Sequence, residues 1–589
     1  MDTPLLNPVV TETSAKAAAQ RWIADFAAAI ESREPAHIAG LFAGECFWRD
    51  ILAFDWDLRM MTGAKAIAER LVPLIAKTAP RDFQLAKDRA APRTVTRAGT
   101  ETIEVMFTFE SAIGPCDCVM RLVSEGGTYR AWTLATILAE IRGHEDPANG
   151  KRWQNVDWKR NFGGENWADR RKKAIAYADR DPAVLVVGAA QAGLMVAARL
   201  SMLDVDTLTI DREQRLGDSW RHRYHALTLH NETRVNHLPY MPFPRSWPVF
   251  IPKDMLGNWF ELYAEAMELN VWTATELTHA RYDEAAKRWD VTLKRGDGTE
   301  RVMHPRHVVF CNGVSTIPRM PDLPGLKDFR GTVSHSGKYG SGLDWKDKKA
   351  LVLGTGTSGH DVAQDLAVSG AAEVSIIQNG PTLIVSLKEA QAPYALYDEE
   401  ISFDDKDLIA ASFPFPIYQR SHQRITKMNA ENDKELLDGL KARGFKLSAG
   451  PEADGWQIMY GRRGGGYYFD AGCSQMVVDG KIGLTQYDDI ERFCAEGAKM
   501  KDGTIKQADL IVLATGYLGQ KESVRPLLGD EITDRIGPVW GFDEEGELKG
   551  MWRPTGQPGL WFLAGGLAQC RIFSKVLALQ IKARELGIV

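Results

Sequence analysis

The sequence is poor in the features that mark several large functional classes. Cysteine is scarce, seven in 589 residues, and the number is odd: Cys46, Cys116, Cys118, Cys311, Cys473, Cys494 and Cys570. No pair has C-x-x-C spacing, which argues against a redox-active thiol pair and favours a reducing, cytoplasmic setting. Basic charge is thin as well. Lys and Arg number 72 against 78 Asp and Glu, a net charge of −6, so nucleic acid is not an expected partner. Short basic runs such as Arg170-Arg171-Lys172-Lys173 read as solvated helix faces. No apolar stretch approaches the roughly 18 residues of a membrane span. The opening MDTPLLNPVV has no basic segment leading into an apolar one, so a secretory signal is not expected. Repeats of solenoid period and low-complexity tracts are also missing.

What is present falls into three regions. Residues 1–145 read as a small α+β unit. A helix begins near Thr13 or Ser14 and carries Trp22, Phe26 and Ile30 at i, i+4, i+8. A second helix is expected over Pro35 to Phe42, and a third from Gly63-Ala64 through Ile67 and Leu71. Three strands follow: Ile103 to Phe109, Cys118 to Val123 and Tyr129 to Leu138. Residues 146–181 read as a polar linker, helical in its second half. From Pro182 onward strands alternate with helices, the pattern of a parallel sheet covered on both faces.

Two strand–glycine turn–helix units punctuate this last region. Ala183 to Val187 is a short apolar strand, followed by Gly188-Ala-Ala190-Gln191-Ala-Gly193 and a helix. The dinucleotide fingerprint wants glycine for the tight turn, for backbone approach to the pyrophosphate and for helix–strand packing. Here Ala190 replaces the middle one, so the phosphate approach is more crowded. Asp211 ends the next strand, roughly 20 residues on, where an acid binds ribose hydroxyls. The second unit, Ala350 to Leu353 and then Gly354-Thr-Gly356-Thr-Ser358-Gly359, has all three glycines. Its following strand ends in Gln378-Asn379 instead of an acid. Two such turns in one chain imply two dinucleotides, a flavin exchanging electrons with a nicotinamide.

Phe329-Arg-Gly331-Thr-Val-Ser-His335-Ser-Gly-Lys-Tyr339 fits the pattern F-x-G-x-x-x-H-x-x-x-[YF], and with it the chain resembles the flavin-containing monooxygenases. Gly217-Asp-Ser-Trp220-Arg-His-Arg223-Tyr224 is similar to that family's G-x-x-W stretch along the flavin. Leu513-Ala-Thr515-Gly516-Tyr517 resembles its A-T-G strand end, and Leu563-Ala-Gly565-Gly566 its segment of backbone amides on the flavin ring. The resemblance covers residues 182–589. With the N-terminal unit the whole chain is similar to long members that carry an NTF2/SnoaL-like cone domain and are sometimes grouped as type II, several of which perform Baeyer–Villiger oxidations.

The resemblance implies an α/β fold of two Rossmann-like domains preceded by the cone. The FAD-binding domain would begin over 182–346, an NAD(P)-binding domain with an insertion would occupy 347–517, and the FAD-binding domain would be completed over 518–589. It implies FAD with NADH or NADPH as cofactors, and O₂ and a small organic substrate as partners. Oxygenation would run through a C4a-(hydro)peroxyflavin, as N/S-oxygenation or Baeyer–Villiger oxidation, with no metal. The cofactor-binding set is then Gly188, Ala190, Gln191, Gly193, Asp211, Arg212, Gly217, Trp220, Arg223, Tyr224, Gly354, Gly356, Ser358, Gly359, Gln378, Asn379, Thr515, Gly516, Gly565 and Gly566. Catalytic candidates are His335 and, where shorter relatives place an asparagine, His230 and Asn231. A homodimer is the candidate assembly.

Relatives often carry an arginine at Asn379 that reads the 2′-phosphate of NADPH, so NADH is expected to serve at least as well. Phe413-Pro-Phe415-Pro-Ile-Tyr418 either caps the substrate or is an ordinary packed loop, and the run Gly464-Gly465-Gly466-Tyr467-Tyr468-Phe469 is either a turn or a lining of that cavity. Two rival readings stand beside the monooxygenase. One is an NAD(P)H oxidase or reductase without productive oxygenation; the other is a ligand-binding protein with a vestigial flavin site.

Overall fold

Alternation along strands decides how the N-terminal unit packs. On the strand Thr100–Glu110, Ile103, Val105, Phe107 and Phe109 face one way, Glu104 and Met106 the other. The first set lies beneath the helices Glu12–Ser32 and Ala64–Thr78, against Trp22, Phe26, Ile67 and Leu71. Trp22 stacks on Phe26 at 4.8 Å and Phe83 on Phe109 at 5.2 Å, so aromatic rings fill this side. The computed structural model describes residues 12–149 and 162–589; the opening MDTPLLNPVV and residues 150–161 of the expected linker lie outside them.

Seven strands make this sheet, in the spatial order Leu58–Thr62, Phe42–Ile51, Thr128–Leu138, Pro115–Glu125, Thr100–Glu110, Arg81–Leu85, with Arg93–Arg97 also on Thr100–Glu110. Three of them are legible in the sequence. The second helix, expected to run to Phe42, is Pro35–Ala39. Gly40 follows it, and Phe42 opens a strand that pairs in parallel with Thr128–Leu138.

The sheet's other face is charged and buried. Glu104 receives Arg93, Arg97 and Arg121, at 2.8, 2.7 and 3.0 Å. Burial alone would raise its carboxyl, but Arg121 and Arg97 outweigh that and hold it at about 2. Arg93 and Arg97 reach on to Glu399, and Arg121 donates to the Ser412 hydroxyl while lying 4.1 Å over the Phe413 ring. Arg49 forks onto Glu547 with two 2.7 Å bonds. The N-terminal unit is thereby clamped to segments some 300 to 500 positions further along the chain.

Two parallel five-stranded sheets follow. The first runs Asn270–Trp272, Thr207–Ile210, Val184–Val187, His307–Phe310, Leu560–Phe562. The second runs Thr332–His335, Leu510–Leu513, Lys349–Leu353, Glu373–Gln378, Gly483–Gln486. Thr332–His335 hydrogen-bonds in the second sheet, although the boundary expected at 346/347 leaves it with the first. The chain crosses between the sheets twice, and the crossings pair with each other as Ile317–Pro318 on Tyr517–Leu518. A helical insertion between Gln378 and Gly483 (Phe403–Ala411, Phe415–Asn432, Lys434–Ala442, Gly455–Arg463) covers one side. No helix among the described residues is long and apolar enough to cross a membrane.

Arg49→Ala strands the Glu547 carboxylate in a buried setting, a change expected to cost on the order of 3–5 kcal/mol. Thermal and urea unfolding check it: the midpoint should drop clearly, and Arg49→Lys should recover only a fraction of the loss because a single ammonium cannot fork.

Candidate active site

Both glycine turns obey the same packing rule. Gly188 (φ +105°) sits so close to the neighbouring strand that a Cβ would lie 2.7 Å from the Cys311 carbonyl oxygen. A Cβ on Gly193 would lie 1.8 Å from the Gly188 carbonyl. In the second turn the same holds for Gly354 (φ +119°, 2.4 Å from the Ala514 carbonyl) and Gly359 (2.0 Å from the Gly354 carbonyl). These four glycines are required by the protein's own backbone. Gly356 is not, since a Cβ there would meet the Tyr467 carbonyl oxygen at an ordinary 3.7 Å. Its bareness leaves room for a ligand, and Ala190, its counterpart, shows that the first turn accepts a methyl group.

The helices behind these turns, Gln191–Met202 and Thr357–Val368, have no side-chain N-cap. Neither has Leu567–Glu585, whose N-cap is Gly566 with open space where a Cβ would be. Three helix N-termini thus present free amides and the positive end of the dipole, the donor set a phosphate or an electron-rich ring takes up. Ser358 lies half-buried in the first turn of the second helix.

Around the first cradle the expected residues converge. Asp211 accepts from the Ala189 and Glu213 amides at 2.7 and 2.9 Å, one bond per carboxylate oxygen, and burial raises its pKa. Each oxygen keeps a lone pair for a hydroxyl donor. Trp220 donates to Gln191 (3.1 Å), and Gln191 in turn to the Gly565 carbonyl (3.5 Å). Gly217 (φ +85°) packs against Gly257, where a Cβ would lie 2.3 Å from its carbonyl. Arg223 keeps a buried Nε with no hydrogen-bond partner among the described residues, a donor suited to an acceptor on a bound group. Arg212 is exposed beside Glu213. These features fit a dinucleotide in each cradle.

Four expected site residues turn out to be committed elsewhere. His335 accepts the Gly337 amide on Nδ1 and donates from Nε2 to the Gly516 carbonyl, both at 3.0 Å. Both ring nitrogens are thus engaged by backbone, which fixes the tautomer and ties the ring to the second crossing. The Tyr224 hydroxyl is bound to Asp361 on the second cradle's helix. Gln378 is fully buried, its amide exchanging two bonds with the Lys446 backbone (2.9 and 2.8 Å), so only exposed Asn379 faces outward at that strand end. The Thr515 hydroxyl donates to the Arg319 carbonyl at 2.6 Å, tying the two crossings together.

His230 and Asn231 lie elsewhere, on the strand Thr228–Glu232. His230 keeps accessible surface although protein surrounds it, and that enclosure lowers its pKa to about 4. The half-buried Tyr394, Tyr418, Tyr460 and Tyr467 nearby also keep accessible surface, which outlines a candidate cavity, and the His230 ring lies 4.6 Å from Phe469. Asn231 is within hydrogen-bonding reach of the Tyr394 hydroxyl, as is Gln457, which also accepts from Tyr418 at 2.7 Å. Tyr460 brings the wall to Cys570, one turn into the helix that starts at Gly566. Sequence reasoning reached Tyr418, Tyr467 and Phe469 but not Tyr394 or Tyr460, because no fixed spacing links them. The 413–418 segment divides: Phe413 and Ile417 pack on the N-terminal unit, while Tyr418 joins the cavity. Gly464 (φ +74°) and Gly466 (φ +100°) form a turn after the helix Gly455–Arg463.

A family model described as flavin-binding monooxygenase-like matches residues 182–441. The chain is similar to indole-3-pyruvate monooxygenase YUCCA1 of Oryza sativa subsp. japonica, 30% identical over 353 residues, 60% of this chain and 80% of that protein. It is similar also to probable indole-3-pyruvate monooxygenase YUCCA4 of Arabidopsis thaliana, 28% identical over 337 residues, 57% of this chain and 75% of that one. Among solved structures it shares a fold with ε-caprolactone-bound cyclohexanone monooxygenase (17% identity, TM-score 0.51, 69% of this chain and 88% of that chain). The OTEMO complex with FAD and NADP is comparable (18%, TM-score 0.51, 69% and 87%).

The two kinds of glycine separate experimentally. Gly356→Ala should leave the unfolding midpoint unchanged and weaken binding of a nicotinamide dinucleotide, measured by calorimetry, by about tenfold or more. Gly359→Ala should lower the midpoint itself, since its Cβ meets backbone that cannot move aside.

Proposed function

The chain belongs to the flavin-binding monooxygenase-like family, and we propose that it oxygenates a small organic substrate with O₂ and a reduced nicotinamide coenzyme. The overall sum is substrate, O₂, NAD(P)H and a proton giving oxygenated product, NAD(P)⁺ and water. The observation that carries this reading is the pair of uncapped cradles joined by two crossings that pair with each other. Bound FAD would supply the two-electron carrier that meets O₂, and the coenzyme the hydride.

FAD belongs in the first cradle. Gly188, Ala190 and Gly193 admit the pyrophosphate, Asp211 holds ribose hydroxyls, and Gln191, Trp220, Gly565 and Gly566 line the ring site. The coenzyme belongs in the second, on Gly354, Gly356, Ser358 and Gly359, with Arg223 offering its free donor from between. Gly516 is held by His335, and Gly217 sets the turn that carries Trp220. The enclosing cap keeps water away from the reacting centre. Asn231 orients the Tyr394 hydroxyl toward substrate, and neutral His230 supplies an uncharged wall.

The N-terminal unit, helices over a curved sheet, suits an NTF2-like cone whose interior is filled by its own aromatic rings. Among the described residues all seven cysteines are free and buried, which supports a reducing cytoplasmic location; a homodimer completes the reading.

Purified protein should be yellow and bleach with NADH under anaerobic conditions. Under ¹⁸O₂ one labelled atom should enter the product. Reduction with stoichiometric hydrogen peroxide and no labelled product across amines, thioethers and ketones would establish the oxidase reading instead.

Coenzyme choice follows from Asn379, which offers no guanidinium to a 2′-phosphate. NADH should match or exceed NADPH in kcat/KM, and Asn379→Arg should shift the ratio toward NADPH by about tenfold or more. A strong native NADPH preference that survives changes at this loop would refute it.

A further inference from the structure

The cavity beside Gly565 and Gly566 is walled by aromatic rings in contact. His230 lies 4.6 Å from Phe469, Phe469 5.0 Å from Tyr467, Tyr467 5.8 Å from Trp456, and Trp456 6.0 Å from Tyr394. Tyr418 and Tyr460 close the ring of phenols, the former on Gln457 and the latter toward Cys570. The polar groups are neutral: phenol O–H donors, the Asn231 and Gln457 amides and an uncharged imidazole.

Formal charge stays out of this wall. Burial raises the pKa of Tyr394, Tyr418 and Tyr467 and lowers that of His230. The other influences on these four are each other and the two amides, and the Arg234 guanidinium that reaches the Tyr394 carbonyl is itself paired with Glu232 and Asp398. Arginines in the adjoining shell are already committed. Arg462 pairs with Asp454 at 2.7 Å, and Arg571 with Asp407 at 2.7 Å and with two backbone carbonyls. A carboxylate brought in here would lose its hydration and find no counter-ion, a heavy cost in a site of low polarity. A carbonyl oxygen loses little and gains a phenol donor.

Resting on the monooxygenase reading, we propose that this cavity takes an uncharged, ring-bearing carbonyl compound and rejects its carboxylate-bearing analogue. In that it departs from what the plant relatives' names say of them, since indole-3-pyruvate is an anion. The aromatic wall sets the preference for a ring, the phenols hold the carbonyl, and the missing cation excludes the acid.

A matched pair decides it. Indole-3-acetone and indole-3-pyruvate share the ring and the ketone and differ in a methyl group against a carboxylate. Binding of each to the yellow holoprotein is measured by calorimetry, and turnover by product formation. The ketone should bind at least tenfold tighter. Gln457→Lys, which sets an ammonium in the wall, should narrow or invert that ratio, and Tyr394→Phe should weaken the ketone several-fold while leaving unsubstituted indole unaffected. Equal or tighter binding of the pyruvate by the unaltered protein overturns the proposal. Absence of oxygenation of any substrate would count against the monooxygenase reading alone, because the binding ratio still decides between ketone and acid.

Discussion

Backbone that must pass backbone without a carbon atom between them is the constraint on which the rest of this molecule depends. At Gly193 and Gly359 the helix after each turn comes so near the turn's own carbonyl that a methyl group would overlap it, by an amount no side-chain adjustment can relieve. That approach aims the N-termini of Gln191–Met202 and Thr357–Val368 over the ends of their sheets. Free amides and helix dipole then fall where an anion can use them. Gly356 and Ala190 occupy the one position in each turn where the fold itself makes no such demand. A three-glycine fingerprint therefore mixes two physical requirements, and a single substitution in it does not carry a single meaning.

This split explains what could be read from the chain alone. Requirements enforced by neighbours in sequence, such as strand, turn and helix, leave a pattern at fixed spacing, so both cradles, Asp211 and the F-x-G-x-x-x-H run were legible. The same pattern misled where a residue's partner comes from afar. His335 sits in a family signature, yet both its nitrogens are spent on backbone at Gly337 and Gly516. Tyr224 follows Trp220 in the expected flavin stretch, yet its hydroxyl belongs to Asp361. Gln378 ends a nucleotide-binding strand, yet its amide is consumed by the Lys446 backbone from the insertion. In each case the residue type was informative and the role was not, because a hydrogen bond's second partner leaves no trace near the first.

The N-terminal unit makes the same point with larger energies. Three of its strands were expected from the sequence, and one face of the sheet they join is filled by Trp22, Phe26, Phe83 and Phe109. Nothing local announced that the opposite face would be buried too, since Glu104 and Arg121 look like solvent residues in sequence. Glu104 is met by Arg93, Arg97 and Arg121 of its own sheet, and those arginines and Arg49 find their remaining acceptors on Glu399, Ser412 and Glu547, which arrive from the cap and from the C-terminal segment. Pairs of this kind contribute little over well-packed apolar residues but are costly to break, so they fix one arrangement of the domains more than they add stability.

Charge is therefore distributed with a purpose that follows from desolvation. Forked, paired arginines such as Arg49, Arg97 and Arg553 occupy the seams between the N-terminal unit, the cap and the C-terminal segment, where geometry is rigid. The cavity enclosed by those seams holds phenols, amides and one imidazole kept neutral by enclosure. A formal charge inside would have to be matched by each entering substrate and would attract water to the reacting centre. Moving the charges outward into the clamps removes both difficulties while still holding the cap in place. The ion pairs that join the N-terminal unit to the rest and the neutral groups of the aromatic wall are thus two consequences of one rule: a buried charge costs least where its partner is permanent.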